Sequence, residues 1–533
     1  MNMLTLPLEP TDDLARPAFW DVDSCNTWLD QLQLTNIQPA HEELLKQLGE
    51  FNRCPMRGLE RLQTLELLRE TVNYVQDNFA RKLISKPLPL GNAEHAVFAA
   101  IVRLWQALVA GYQRCLQSYI AGDQQLASNV ALLCQRCLLY SGLAIFEHLR
   151  CGYEFDSNLW RQLHELYAYA ESNELHHTQV SDPLSSNLPT SNCQSIYVKF
   201  LLACFAHPAE LSRSQLQLLE GWLSQWCSEV TVSKSYSVSK GDALPLAIDY
   251  ASKHGLLPVQ HVPHSASVRY VAMVPMSKLL RVKTILLQQG QTPHQQKLGD
   301  TCARNECIEF LTFLHQCWCE DMNTRFGTRQ TVAHHMMLCH RMGNIYAHIS
   351  GQPHNQSGNP TANLNSSPRP VLTENLYPTE SWHLENESIL GGRLTRDHLT
   401  EGRLGYNQLV ALRPIEPSRS FFGSKDWVLA ETSWVNVSLT GHLRIGVRYF
   451  PGTVDAIQIS DDTSQLADGT LPAFILQAVP ALKTPPSLIV QRGFFRTNRI
   501  VTIVHRNAEK QKVQLGFRVE QGSDYERVSY TQV

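Results

Sequence analysis

The fold is decided between residues 386 and 450. NESILGG (386–392) is followed by GRLGYNQLVALRP (402–414), DWVLAETSWV (426–435) and GHLRIGVRYF (441–450). In the last segment Leu443, Ile445, Val447 and Tyr449 alternate with Arg444, Gly446 and Arg448. That period of two puts one strand face in a core and the other in water. Farther on, Val513, Leu515, Phe517 and Val519 alternate with Gln514, Gly516 and Arg518. Short strands between Gly, Pro, Asn and Asp turns predict an antiparallel barrel or sandwich. Segments near 474–476, 488–490, 500–504 and 513–519 predict further β-structure after residue 460, packed on the first barrel or closing a second small one. Residues 351–381 hold five Pro and five Asn and little apolar periodicity, which predicts a flexible insertion. MGNIYAHIS (342–350) reads as a strand ahead of it, with a helical start of HHMMLCHRMGNIYAHI (334–349) as the other reading.

Working back toward the N-terminus, the period changes. Phe98, Ile101, Leu104, Trp105, Leu108, Tyr112 and Cys115 recur at steps of three and four, one face of a helix. Residues 131–150 are apolar on most sides and predict a buried central helix. Asp156, Ser157 and Asn158 offer N-caps for the helix that carries Trp160, and 173–194 reads as a polar loop. VRYVAMV (268–274) predicts a strand, Ser277 an N-cap for a helix through Leu287, and 301–322 a further amphipathic helix. The expected class is α+β and multidomain. It comprises a helical domain (1–230), a mixed α/β connecting region (231–322), a β-barrel (323–460) and a β-rich extension (461–533).

The whole chain has 533 residues, 43% hydrophobic and 18% charged, which suits large packed cores rather than disorder. Lys plus Arg is 46 and Asp plus Glu 49, a net charge of −3. That balance gives no basic field for a nucleic-acid polymer. No apolar run reaches the length that spans a bilayer, and the N-terminal stretch meets Asp12 and Asp13 before any long apolar segment, unlike a secretory signal. Fourteen scattered cysteines suit a reducing compartment, so a cytoplasmic location is expected.

RFGTR (325–329) supplies arginines four apart, and NESILGG supplies Asn386, Ser388, Gly391 and Gly392. The order RxxxR, strand, [D/N]xSxxG, further strands resembles the PilZ domains of bacteria, over roughly residues 320–460. The resemblance implies a six-stranded barrel that binds cyclic di-GMP, here fused to a helical N-terminal region. Guanidinium groups are planar, always charged and fork-shaped, and suit phosphate oxygens and the O6/N7 edge of guanine. By resemblance Arg325 and Arg329 would hold guanine and phosphate. Asn386, Ser388, Gly391 and Gly392 would line the opposing surface. The bland alternative is that the arginines are surface charges and 386–392 is an ordinary turn. RxxxR also occurs at Arg53 and Arg57 and at Arg57 and Arg61, and the second pattern recurs at Asn436, Ser438 and Gly441. The resemblance implies a non-catalytic effector that passes second-messenger level to an unidentified protein partner through the helical region, in motility, attachment or biofilm control. The alternative is a ligand-free PilZ-like scaffold that acts only through protein contacts.

Enzyme signatures are missing: no G-x-S-x-G, P-loop, H-E-x-x-H or G-x-G-x-x-G, and no cyclase or phosphodiesterase unit. His315, Cys317, Cys319, His334, His335, Cys339 and His340 crowd 26 residues, but no two standard zinc-ligand pairs coincide, so no metal is expected. Cys134 and Cys137 form a CxxC inside an apolar helix, without a second pair. Trp105, Trp160, Trp222, Trp226 and Tyr167 are spaced as core residues, with a partner platform as the other reading.

Overall fold

The structure is a computed structural model that describes residues 4, 6, 11–84, 86–184, 189–320, 330–352, 376–396, 402–415, 426–460, 470–482 and 484–533. The protein is α+β and divides into two compact units, Met1–Lys86 with Leu90–Thr324, and Pro87–Pro89 with Arg325–Val533.

The first unit carries helices α1 (Val22–Gln31), α2 (Ile37–Arg53), α3 (Gly58–Ala80), α4 (Asn92–Ile120), α5 (Val130–Cys151), α6 (Asn158–Ser172), α7 (Cys193–Phe205) and α8 (Arg213–Trp226). A two-residue ladder, β1 (Val180–Ser181) with β2 (Thr190–Ser191), lies between α6 and α7. The expected polar loop thus contains a small hairpin, and α7 begins inside its predicted bounds. Polar caps start several helices. Asn192 Oδ1 accepts from the Ser195 N–H at 2.8 Å before α7, and Ser212 and Gln215 bond reciprocally before α8. On α4 the seven periodic residues from Phe98 to Cys115 are all buried. Asp156, not Ser157, bonds the start of α6, accepting from the Asn158 N–H at 2.8 Å.

Helix α5 packs against α4, α6 and α7. Its Gly142 lies against the Phe200 ring, and a Cβ there would overlap the ring, so this glycine sets how closely α5 and α7 approach. Helix α4 and residues 124–151 are long and apolar enough to cross a membrane by length and composition alone. Charged residues interrupt both, Arg103 and Arg114 in the first and Arg136 and Glu147 in the second, so neither is an unbroken apolar run. The five aromatic residues singled out from the sequence are all buried, so they serve as core.

A four-stranded antiparallel sheet follows, β3 (Val232–Ser233), β4 (Leu246–Asp249), β5 (Leu257–Pro258) and β6 (Val268–Val271), in the order β3-β6-β4-β5. Then come α9 (Val274–Gln288) and α10 (Arg304–Cys319), packed on each other. Ser277 is not the N-cap of α9. Pro275 in the first turn lets the helix begin at Val274, because proline there lacks only an N–H that would be unpaired anyway.

The second unit contains two closed barrels. The first has β7 (Gln330–His340), β8 (Glu380–Ser388), β9 (Gly391–Arg396), β10 (Leu409–Pro414), β11 (Val428–Val437) and β12 (Leu443–Tyr449). The second has β13 (Val454–Ser460), β14 (Leu471–Leu476), β15 (Ser487–Gln491), β16 (Ile500–Val504), β17 (Lys510–Gln521) and β18 (Tyr525–Gln532). In each, the first three strands pair in succession, the third pairs with the sixth, and the sixth, fifth and fourth lead back to the first. The two barrels share one topology. Strand β13 belongs to the second, so the division falls between Tyr449 and Val454, short of the expected 460.

MGNIYAHIS is a helix, α11 (Met342–Ser350), not the expected strand. Ile345, Ala347 and Ile349 alternate, but Met342, Ile345, Tyr346 and Ile349 also mark one helix face, and that face is the one buried. It contributes to one apolar cluster with Leu409 and Trp427 of the first barrel and Phe474 and Ile489 of the second. Polar clasps join the same two bodies. Arg448 Nη1 lies 3.2 Å from Glu520, the Tyr525 hydroxyl donates to Glu431, and Asp524 Oδ1 accepts from the Leu409 N–H at 2.9 Å. Of the predicted insertion at 351–381, residues 353–375 lie outside the described residues, and its last two belong to β8.

Candidate functional site

Strands β8 and β9 form a tight hairpin that carries the second half of the sequence pattern. Ser388 pairs with Gly391, Glu387 with Gly392 and Asn386 with Arg393. Ser388 is buried, and its hydroxyl donates to the Gly391 carbonyl at 3.1 Å, closing the turn across itself. A Cβ on Gly391 would overlap the Val447 carbonyl oxygen, since β9 lies directly against β12. A Cβ on Gly392 would stand 2.8 Å from Leu384 Cδ1 and 3.2 Å from the Tyr449 hydroxyl. These three residue types therefore have structural duties in the hairpin. Asn386 is half-buried, at a register shift where β8 bulges against β9. The turn residues Ile389 and Leu390 are exposed.

The start of the first strand pairs with this hairpin in register. Gln330 pairs with Glu387 and Thr331 with Asn386. Gln330 directly follows Arg329 in the chain. Arg325 and Arg329 themselves lie outside the described residues. The competing match sits at the other end of the barrel. Gly391 pairs with Arg448 at one end of β12, whereas Leu443 at its other end pairs with Val437 beside the 438–441 turn. There Ser438 Oγ accepts from the His442 N–H at 3.0 Å and Gly441 takes φ +84°. Both matches are thus hairpin turns with a serine bonding across the turn, and only the first faces the start of β7.

Sequence reasoning passed over Glu387. It is fully buried and accepts from the Tyr449 hydroxyl at 3.2 Å. Burial, and next the Glu387 charge, push the Tyr449 phenol up, so it stays a neutral donor. By alternation with Trp382 and Leu384, Glu387 falls on the outward phase of β8, and the register shift between Leu384 and Asn386 turns it inward, so periodicity gave no signal for it. At the other end of the barrel, Arg396 pairs with Glu380 and lies 5.0 Å from the Trp382 ring centroid.

The His/Cys crowd is divided between the units. His315, Cys317 and Cys319 belong to α10, and His334, His335, Cys339 and His340 to β7. Both nitrogens of His315 are engaged, Nε2 with Ser277 Oγ at 3.0 Å and Nδ1 with Glu320 at 3.1 Å. Among the described residues no three His, Cys, Asp or Glu side chains converge as a metal site. Cys134 and Cys137 are buried on α5, and burial pushes the Cys134 thiol up to about 12, which leaves it without thiolate character.

The helical unit has a concentrated polar centre. Arg69 Nη2 grips Asp182 with 2.8 Å to each oxygen, and Arg136 reaches Glu66 at 3.0 Å and Asp182 at 3.2 Å. Tyr112 donates to Glu66 at 2.7 Å, and Arg69 Nε donates to the Tyr140 hydroxyl at 2.7 Å. Burial opposes ionisation of Glu66, but Arg136 and then Arg69 outweigh it and hold its pKa below the usual carboxylate range. The charges are mutually satisfied, so the centre ties the β1–β2 ladder to α3 and α5.

Comparison with known proteins bears on both ends of the chain. Residues 23–236 match the family described as "Cyclic-di-GMP receptor FimW, N-terminal domain", and residues 456–533 match "FimW C-terminal beta-barrel domain". A relative from Pseudomonas aeruginosa strain PAO1, "Cyclic-di-GMP receptor FimW", is 22% identical over 543 aligned residues, which cover 91% of this chain and 86% of the relative. The first match spans α1 to α8 and the second spans nearly all of the second barrel. The first barrel, with its NxSxxG hairpin, lies between them and outside both family matches.

Proposed function

We propose that the protein is a non-catalytic effector that binds cyclic di-GMP at the β7 end of the first barrel and passes second-messenger level to a protein partner through the helical unit. One observation carries the reading. Within a closed six-stranded barrel, the strand that follows RxxxR in the chain pairs directly with Asn386 and Glu387. Two arginines on that segment would then reach a ligand held over the β8–β9 turn. Similarity to a cyclic di-GMP receptor at both ends of the chain supports the same ligand. Arg325 and Arg329 would supply charge and planar forks for phosphate and guanine. Asn386 would offer amide donors and acceptors at the edge of the site. The ligand acts as a switch only if it binds one arrangement of the arginine segment better than another. A PilZ assignment of the barrel, a cytoplasmic location and an output in motility, attachment or biofilm control belong to this proposal.

A second reading has its own observation. Ser388, Gly391 and Gly392 are all accounted for by hairpin packing, which a scaffold without ligand would equally require. Calorimetric titration of cyclic di-GMP into the full chain separates the two. Binding at micromolar or tighter affinity that weakens at least about tenfold in Arg329→Ala, a loss of about 1.4 kcal/mol, supports the receptor. A folded wild type that gives no heat supports the scaffold.

A further inference from the structure

We propose that the connection between β15 and β16 in the second barrel is a further site for a phosphate-bearing guanine nucleotide, with Arg492 and Arg496 as its anion-binding pair. The choice of guanine nucleotide rests on the reading of the chain as a cyclic di-GMP effector; the anion site rests on the loop itself.

The segment QRGFFRTNRI (491–500) carries three arginines, two phenylalanines and no acid, in a chain whose net charge is −3. Arg492 and Arg496 are exposed and form no ion pair with any described residue. Among the described residues each uses only Nη1, on a neighbouring carbonyl. Arg492 donates to Ser523 O at 3.2 Å, and Arg496 to Gly493 O at 3.3 Å and Phe495 O at 2.9 Å. Nε and Nη2 of both remain available as a fork for phosphate oxygens.

The loop beneath them is held in place. Glu526, only 4% exposed, accepts from the Gly493 N–H at 3.0 Å and the Phe495 N–H at 3.1 Å through one oxygen. Its other oxygen lies 3.3 Å from Arg518. A buried carboxylate bonded to two loop amides fixes the backbone that presents the arginines, so less ordering entropy is lost on binding. Beside them the Arg499 guanidinium lies 4.3 Å from the half-buried Phe494 ring centroid. A flat cation on a flat ring next to two free forks suits a purine base with its phosphates. Without an anion, like charges four residues apart repel. Arginine at all three positions, where lysine would serve for solubility, matches fork geometry rather than charge alone.

The test titrates cyclic di-GMP and, separately, GTP into the full chain. It uses wild type, Arg492→Ala/Arg496→Ala, Arg492→Lys/Arg496→Lys and Arg325→Ala/Arg329→Ala, with thermal melts to verify folding. Expected is a binding event that survives Arg325→Ala/Arg329→Ala. It should weaken at least about tenfold in Arg492→Ala/Arg496→Ala, and also in the lysine pair, which keeps charge but loses the fork. If all binding disappears with Arg325→Ala/Arg329→Ala and the Arg492 and Arg496 variants match wild type, this site is overturned while the effector reading stands. If GTP binds through Arg492 and Arg496 but cyclic di-GMP does not bind, this site stands and the effector reading fails. Neither nucleotide binding to folded wild type overturns the site.

Discussion

Gly391 and Ser388 show how a pattern suited to a ligand can be required by a turn. Alanine at Gly391 would drive a methyl into the Val447 carbonyl oxygen, so β9 and β12 must separate. We expect a cost on the order of 3 kcal/mol, read as a lower urea midpoint of the barrel unit. Ser388→Ala removes a buried bond to Gly391 O, worth about 1 kcal/mol, and leaves the backbone path open. A ligand affinity unchanged in Ser388→Ala would place the hydroxyl in the hairpin alone. A different single residue sets a pH dependence in the helical unit. His164 is buried between the Tyr197 hydroxyl at 2.6 Å and the His254 carbonyl at 2.8 Å. Burial lowers its pKa to about 4. The unfolded chain binds that proton near pH 6.5 and the folded chain does not. This contribution is therefore fully present above about pH 6.5, and falls as pH drops from 6.5 toward 4 by roughly 3 kcal/mol. Thermal melts of wild type and His164→Gln across that window check it. A variant with an unchanged slope would assign the pH dependence to other groups.

At the scale of elements, periodicity decided what was legible. The alternation of 443–449 and of 513–519 announced β12 and β17, and the three-and-four spacing from Phe98 to Cys115 announced α4; in β17 only Val513 and Leu515 face a core, because the register shifts after Leu515 and leaves Phe517 and Val519 exposed. Helix α11 was missed because its short run satisfies both periods, and only its burial between two barrels selects the helix. The start of α9 was missed because Ser277 outranks Met273 as a cap, whereas Pro275 already supplies a first turn. The register between β7 and β8 was beyond reading, since it depends on pairing residues far apart in the chain, from Gln330 with Glu387 to Leu338 with Glu380. The arginine and carboxylate centre joining α3, α5 and the β1–β2 ladder was equally hidden, as its members are far apart in sequence. Its prediction follows from burial. Arg136→Met leaves Glu66 and Asp182 short of a cation and should cost the helical unit roughly 3 kcal/mol, seen as a lower urea midpoint. A midpoint shift near zero would mean that Arg69 alone compensates both carboxylates.

For the whole molecule, the notable feature is repetition. Two six-stranded barrels with one strand order share an apolar cluster through α11 and are clasped by Arg448 with Glu520 and by Tyr525 with Glu431. The two family matches cover the helical region and the second barrel, the relative's alignment covers 91% of the chain, and the NxSxxG hairpin sits in the first barrel. We propose that hairpin as the place of the primary ligand. Hydrogen–deuterium exchange of the full chain with and without saturating cyclic di-GMP tests this most directly. Slowed exchange is predicted at the start of β7 and across 386–392, lost in Arg325→Ala/Arg329→Ala. Bound cyclic di-GMP that leaves those amides unchanged would contradict it.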